Sequence, residues 1–476
     1  MSTAPAAPPA SRRGREGRGG SRITSFTRSS PSSLWRPIRR RSVLRGGTLL
    51  AGAGLLGAAG LPLRAQEAGI DWRRAEGATI VLGGLQHPWM DAVEPLIPAF
   101  TELTGITVTV EKQSESEYVA SMPVRLGGGS AVPDVFMIWS LGQAISAGWL
   151  EPLDAHREDP ALFDAAWYDE EDVFASARSF ERWGDGQSYG LAITAEAQTM
   201  FLNGEAMEAA GLSMPATMDD LMAAAAAMKS DEMAGIAMRA KATGDAAPWT
   251  AAGFIFSHGG SIVTLDGASG LALPESVAGV ETYGRLLREH GPLGIGNYHW
   301  MECLNDFTQG ALAIGCDSSN FATDISDPTK SLVAKTAVFG ALPGAGDRPA
   351  KPNMWHWMAG INAASAQKPA AFLFLVWATS RDTAAQAAAG GLATTRTSAW
   401  ESEGFRARFG EGAAEAALAN LQAADGNLFK AAWFHPRGPE ILDAVGIAVN
   451  EVVTGASDAQ AAMTAADAKV AAILGG

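Results

Sequence analysis

The stretch from Ala78 to Ala155 constrains the fold more than any other, because short apolar runs alternate there with segments of helical spacing. Thr79-Ile80-Val81-Leu82, Ile106 to Val110 and Asp134 to Ile138 have the length and β-branched content of buried strands. Between them the pattern predicts helices from about Asp91 to Thr104 and from about Tyr118 to Leu126. Repeated β-α-β order gives a largely parallel sheet with helices on both faces, and right-handed crossovers gather the loops at the strands' C-terminal ends. Ligands of such sheets bind at those ends. Gln86, His87 and Trp89 follow the first strand, and Trp139 with Ser140 follows the third, so these are candidate contacts.

The N-terminal end reads differently. Residues 1–65 hold twelve Arg, no Lys and one Glu, and Arg40-Arg41-Ser42-Val43-Leu44-Arg45 stands directly before a Gly/Ala/Leu run. This is the pattern of a twin-arginine export signal, disordered or cleaved, with cleavage expected near Ala65. The apolar run is dilute in Gly and Ala and carries Pro62, which argues against a stable membrane span. Beyond residue 65 the chain has 24 basic and 50 acidic side chains, a balance of −26 that argues against nucleic acid as a partner. A periplasmic location follows from the signal. Two cysteines, Cys303 and Cys316, are too few for a metal cluster but permit one disulfide in an exported chain.

A second informative stretch is Trp355-His356-Trp357-Met358-Ala359-Gly360-Ile361-Asn362-Ala363-Ala364-Ser365. In extended backbone the period of two places Trp355 and Trp357 on one face and His356 on the other. An indole offers an apolar face with one N–H at its edge, which suits the C–H faces and hydroxyl rims of a sugar or polyol. Core packing accounts for such a pair equally well.

The segment from Met358 to Ala371 resembles the hinge strand and following helix of maltose-binding protein and the wider family of extracellular solute-binding proteins for sugars. Other phrases of that family recur in order: Phe100-Thr101-Glu102-Leu103-Thr104-Gly105-Ile106, with Gly105 placed for a left-handed cap; Pro133-Asp134-Val135; Ala147 to Leu153; and Asp306 to Ala313. Thr217 with Asp219 and Asp220 reads as a helix start. The resemblance implies an α/β fold of the type II periplasmic-binding-protein kind, two lobes joined by a hinge with a ligand cleft between them. It also implies the division of the chain. Residues 66–195 would form the first segment of lobe 1, 196–357 the first segment of lobe 2, 358–405 the second segment of lobe 1, and 406–476 mainly lobe 2 C-terminal helices.

By the same resemblance Glu196, in Ala195-Glu196-Ala197, contacts sugar hydroxyls from the first crossover. Asp317 and Asn320, in Asp317-Ser318-Ser319-Asn320, occupy a second-lobe strand end where sugar binders carry site residues. Glu196 and Asp317 are thereby expected to approach one ligand from opposite sides of the cleft. The maltose type carries Trp in the region after Asp317 and this chain has none there, so the wording lies nearer the sorbitol and mannitol branch. Trp249, Trp300, Trp433 and Arg437 are further loop candidates, each as readily core or rim.

No His-Glu-x-x-His, nucleophile elbow or phosphate-cradling loop occurs in the chain. Only five Tyr are present and none are adjacent, against 14 Trp, a balance that favours stacking on a neutral ligand over ferric coordination. The favoured reading is a non-catalytic, cofactor-free, monomeric receptor that delivers a sugar or polyol to an ABC-transporter permease. An exported glycoside hydrolase is the alternative, using a carboxylate pair such as Glu170 and Glu171 or Asp219 and Asp220. Against it, adjacent residues on a helix do not face one site.

Overall fold

The computed structural model describes residues 69–475. The twin-arginine segment and Ala65 lie outside them. In chain order the strands are β1 (Thr79–Leu85), β2 (Thr107–Gln113), β3 (Val135–Ile138), β4 (Leu191–Ala192), β5 (Glu196–Asn203), β6 (Ala234–Ala237), β7 (Leu312–Ser318), β8 (Ala337–Gly340), β9 (Met354–Trp355) and β10 (Met358–Ile361). They form two sheets. One has the order β2-β1-β3-β10-β4, and the other the order β6-β7-β5-β8 with β9 paired to β5.

The helices that build or support the site are α1 (Pro88–Val93), α2 (Glu115–Gly127), α3 (Ala247–Ser257), α4 (Pro274–His290), α5 (Trp300–Thr308), α6 (Lys368–Ala378), α7 (Glu411–Ala423), α8 (Gly426–Trp433), α9 (Gly438–Thr454) and α10 (Ala459–Leu474). The helix expected from Asp91 to Thr104 is divided. After α1 a 3-10 turn covers Glu94–Leu96 and a new helix runs Ile97–Thr104, because Pro95 and Pro98 have no N–H to give to an uninterrupted helix. That second helix ends where expected, on Gly105 at φ 71°, a left-handed conformation a side chain would strain. Thr217 and Asp220 close a capping box, and Asp458 caps α10.

In the first sheet β1 runs parallel to β2 and β3, while β10 returns antiparallel with Met358 opposite Ile138. Tyr118 of α2 donates to the Met137 carbonyl at 2.8 Å and so ties this helix to β3. Helix α6 is buried on every side from Ala370 to Ala378, as its lack of polar residues requires. The second sheet is mixed, with β7 parallel to β6 and antiparallel to β5. Helices α3, α4, α9 and α10 pack together, and α7 packs on β5 and β8.

The chain passes from one sheet to the other between β4 and β5 and returns between β9 and β10. These two passages are braced side by side: Ile193 N–H donates to the Trp357 carbonyl at 2.7 Å. His356 joins them again, with its Nδ1 3.0 Å from the Thr194 carbonyl and its Nε2 3.0 Å from Ser176 Oγ. A carbonyl can only accept, so Nδ1 carries the proton and Nε2 accepts from the serine. Burial pushes the His356 pKa down to about 4, against the smaller opposing pull of the Thr194 bond, and the ring stays neutral.

The considered disulfide is not formed. Cys303 on α5 and Cys316 on β7 are both buried and free, and burial raises both thiols above their ordinary value, so they serve as small apolar packing groups. Among the described residues no helix is long and apolar enough to cross a membrane.

Candidate functional site

A cavity of about 1010 Å³ is lined from both sheets and from the passages between them. Strand register explains which side chains meet there. Met358 opposite Ile138 brings Trp357 beside Trp139 at the end of β3. Glu196 opposite Trp355, and Gln198 opposite Ser318, bring the start of β5 next to β9 and to the end of β7. Gln86, His87, Trp139, Glu196, Trp249, Trp300, Asn320, Trp355, Trp357 and Trp433 all line the cavity, so most of the sequence candidates converge on it.

Trp355 and Trp357 do share a side, with His356 turned away into the protein. Their rings meet edge to face at 5.3 Å and 83°, so the two indoles form a corner and not a double platform. Trp355 is backed by Phe429, which in turn stacks on Trp433 at 4.6 Å and 16°. The corner is held by α8.

At the start of β5, Glu196 is buried and takes three hydrogen bonds. Ser318 Oγ donates to Oε2 at 2.7 Å, and Thr194 Oγ1 donates to Oε1 at 3.0 Å. His87 Nε2 lies 3.4 Å from Oε1. His87 Nδ1 accepts from the Trp89 N–H at 3.1 Å, as the N-cap of α1, which leaves Nε2 to carry the proton that faces Glu196. Burial by itself would raise the Glu196 pKa. The hydrogen bonds from His87, Ser318 and Thr194 prevail and hold it below the ordinary glutamate value.

Farther along the same sheet, after β6, Arg239 is buried with its guanidinium 4.8 Å over the Trp249 ring. It holds Asp317 bidentately, Nε to Oδ2 at 2.9 Å and Nη2 to Oδ1 at 2.6 Å. Burial works against the Arg239 charge, and Asp317 outweighs it. Near the same wall Trp300 Nε1 donates to Glu115 Oε2 at 3.0 Å, a bond from α5 to α2 across the two sheets. Burial raises the Glu115 pKa above the ordinary value, with Arg239 and His299 opposing and Asp245 adding to the rise.

Three candidates are corrected. Asp317 is fully buried behind Arg239 and is spent on it, because it lies opposite Thr199 in β7, adjacent to β5. It therefore shares a sheet with Glu196 and does not face it across the cleft. Trp89 points from α1 into the hydrophobic core and is 2% exposed. Arg437 lies off the cavity, paired with Glu440 and donating to the Ile473 carbonyl. Arg239 and Glu115 were missed. A lone Arg after the apolar run Gly235-Ile236-Ala237-Met238 was a usable signal, since charged residues at buried strand ends are uncommon without a partner.

The acid pairs considered for hydrolysis serve elsewhere. Glu170 pairs with Arg157, Glu171 with Arg178, and Asp220 caps its own helix.

The sequence profile of the family described as bacterial extracellular solute-binding protein matches residues 84–385. An erythritol/L-threitol-binding protein of Mycolicibacterium smegmatis is 28% identical over 403 residues, covering 77% of this chain and 83% of that one. A mannitol-binding protein of Pseudomonas aeruginosa is 29% identical over 251 residues, covering 49% of this chain and 52% of that one. Among solved structures, an ABC-transporter solute-binding protein from Agrobacterium radiobacter in complex with ribitol superposes with a TM-score of 0.76 at 24% identity, covering 84% of this chain and 99% of that one. One from Agrobacterium vitis with bound D-mannitol gives 0.73 at 23% identity, with 84% and 98% covered.

Proposed function

The chain belongs to the bacterial extracellular solute-binding protein family, and we propose that it binds a short linear polyol in the cavity between its two sheets and hands it to the permease of an ABC importer. It is a binding protein and not an enzyme. The observation that carries the polyol reading is the pairing of an indole corner, Trp355 and Trp357, with a Glu196 held ionised by hydroxyl and imidazole donors. Indoles cover the C–H edges of a polyhydroxylated chain. A carboxylate has about four acceptor positions, and three are used here, so one remains for a ligand hydroxyl. The named ligands of the two curated relatives, erythritol or L-threitol and mannitol, are of the same class.

In this reading residues 66–195 and 358–405 form one lobe and 196–357 with most of 406–476 the other, and ligand draws them together about the braced passages. Burying each hydroxyl against a fixed partner makes an analogue that lacks one bind less well, because a polar group is then left unpaired. Export by the Arg40-Arg41 signal to the periplasm, a monomeric state and docking on membrane-embedded permease subunits complete the proposal.

The test is a thermal-shift and calorimetric screen of the purified chain, residues 66–476, against erythritol, L-threitol, ribitol, D-mannitol, D-sorbitol and maltose. A ligand that binds only the native state raises the melting temperature, by an amount that grows with the logarithm of its concentration over Kd. At least one alditol should do so and be recovered chemically unchanged, while maltose should not. Stabilisation by maltose alone would move the assignment to the disaccharide branch.

A further inference from the structure

Beyond β3 and Trp139 the chain turns into a short helix, Leu141–Ser146, whose second residue is Gly142. Glycine weakens a helix relative to alanine, and the backbone here is helical, so no turn asks for it. The packing supplies the reason. A methyl group on Gly142 would overlap the carbonyl oxygen of Phe434 and lie 2.7 Å from the carbonyl carbon and oxygen of His435, closer than such a group can come. Phe434 and His435 follow α8, which packs on α9 among the helices of the second sheet. Trp139, just before the short helix, and Trp433, just before Phe434, both line the cavity. The bare glycine thus lets two backbones meet next in sequence to two cavity indoles, one from each side.

The meeting is close but unbonded. Among the described residues no hydrogen bond or ion pair joins residues 141–146 to residues 426–437. Ser140 Oγ and Gln143 Oε1, on either side of Gly142 in the chain, are shielded from solvent without a hydrogen-bond partner. In a permanent interior such atoms are nearly always bonded. Two surfaces that part return them to water each time, so the pattern is that of a seam and not of a core. Near the passages α8 behaves differently. There Lys430 donates to the Ser179 carbonyl at 2.6 Å, and Phe429 stacks at 5.3 Å and 20° on Phe180, which itself meets His356 edge to face. The helix is anchored at the passages, and the backbone after it reaches Gly142.

We infer that Gly142 is a positioning residue for binding: by carrying no side chain it lets the two lobes close fully, and so sets how near Trp139 and Trp433 come across the cavity. This rests on the closing-cleft part of the proposed function. A methyl group at this position would hold the two sides apart without altering any group that faces the ligand. The obstacle is the same whatever lies in the cavity, so the closed state becomes rarer by one factor and every ligand loses that factor in affinity. Gly391 also meets the other side through its backbone, its carbonyl accepting from the Thr323 hydroxyl at 2.7 Å, but its φ of 97° would strain any side chain. Gly142 can be changed without that strain.

The experiment compares wild type, Gly142→Ala and Gly412→Ala, each as residues 66–476, with erythritol, ribitol, D-mannitol and maltose. Gly412, an exposed helical glycine of α7 with open space around it, reports what the exchange does by itself. Calorimetry should show Gly142→Ala binding each compound that wild type binds about tenfold more weakly or worse, by the same factor for each. Gly412→Ala should bind as wild type does. The ligand-free melting temperature of Gly142→Ala should not fall, since the lobes are then apart and alanine favours the helix. Low-angle scattering at saturating ligand should show it less compact than wild type. Unchanged affinity, or losses that differ between ligands, overturns the inference while the closing cleft stands. A lower ligand-free melting temperature with affinity per folded molecule retained does the same, because the contact is then fixed packing. A wild-type chain that binds none of the four, or binds without becoming more compact, overturns the reading on which the inference rests, and the inference with it.

Discussion

The floor of the cavity and its second-sheet wall manage buried charge in different ways. At the floor, around the two passages, ionisable groups are satisfied by neutral donors and acceptors. Glu196 takes hydroxyls and an imidazole N–H, and His356 is kept uncharged between a carbonyl and a serine. At the wall, charge answers charge, in the pair of Arg239 with Asp317. The difference matters for what each region can tolerate. A neutral partner, when lost, leaves one unsatisfied atom, whereas a lost counter-ion leaves a bare buried charge. The floor should therefore respond mainly to pH and the wall mainly to mutation.

The largest effect expected from this contrast is at the wall. Asp317→Ala leaves the Arg239 guanidinium buried against Trp249 with its main partner gone, and breaking such a pair costs about 3–5 kcal/mol. Urea denaturation of ligand-free protein should show that loss as a lower midpoint at unchanged slope. Replacing both partners together, Arg239→Met with Asp317→Leu, should recover much of it. If the single variant is as stable as wild type, the wall does not depend on its counter-ion and the contrast fails.

The floor yields a pH effect. Because the folded-state pKa of His356 is depressed to about 4, its contribution to stability is fully present above the ordinary histidine value. It is lost as pH falls from that value to about 4, since only the unfolded chain takes up the proton over that range. Glu196 and Lys430 are the charged groups acting on it, the first raising and the second lowering its pKa. Stability should fall by about 3 kcal/mol across this window in wild type, and His356→Gln should flatten that limb. Glu196 is also depressed, and its loss sets in only at lower pH, below the ordinary glutamate value, so the two are separable. A wild-type curve that is level down to the glutamate range would show that His356 titrates normally and that the floor is not built around a neutral ring.

Much of this was legible in the sequence. The first β-α-β-α-β stretch, Gly105, Thr217 and the alternation of Trp355, His356 and Trp357 depend on local geometry, and local rules found them. What escaped was partnership across the fold. Asp317 looked like a ligand for hydroxyls because a strand-end acid beside Ser and Asn has the right chemistry. Its role was decided by Arg239, 78 residues away in sequence and 2.6 Å away in space. Trp89 was misplaced for a related reason: strand-end loops face the cleft, but α1 begins at Pro88 and turns the indole back into the core. Glu115 passed unnoticed as an ordinary first-turn acid of α2, and only the meeting of the two sheets gives it the Trp300 N–H.

The smallest effect expected is at that meeting point, where an acid near the wall is held, as at the floor, by a neutral donor. Glu115 is half-buried at the start of α2 and holds the Trp300 indole from the other sheet, so the bond forms only when the two sides of the cavity are together. Its pKa is raised in this arrangement, chiefly by burial. A carboxyl whose pKa is raised on closure favours the closed form below the ordinary glutamate value and loses that advantage as pH climbs through the raised one. Ligand affinity should accordingly rise slightly from neutral pH towards the glutamate range, and Glu115→Gln should remove that slope. Trp300→Phe keeps the ring but deletes the donor. For a bond this exposed the expected cost is about 1 kcal/mol, or about fivefold in Kd, carried by faster release of ligand. The loss should be the same for every alditol that binds, because the contact joins the two sides of the cavity and not the ligand to the protein. Stopped-flow release of D-mannitol and ribitol from wild type and Trp300→Phe decides it: unequal losses for the two would make Trp300 a ligand contact, and Glu115 would then be anchoring an indole and not closing a cleft.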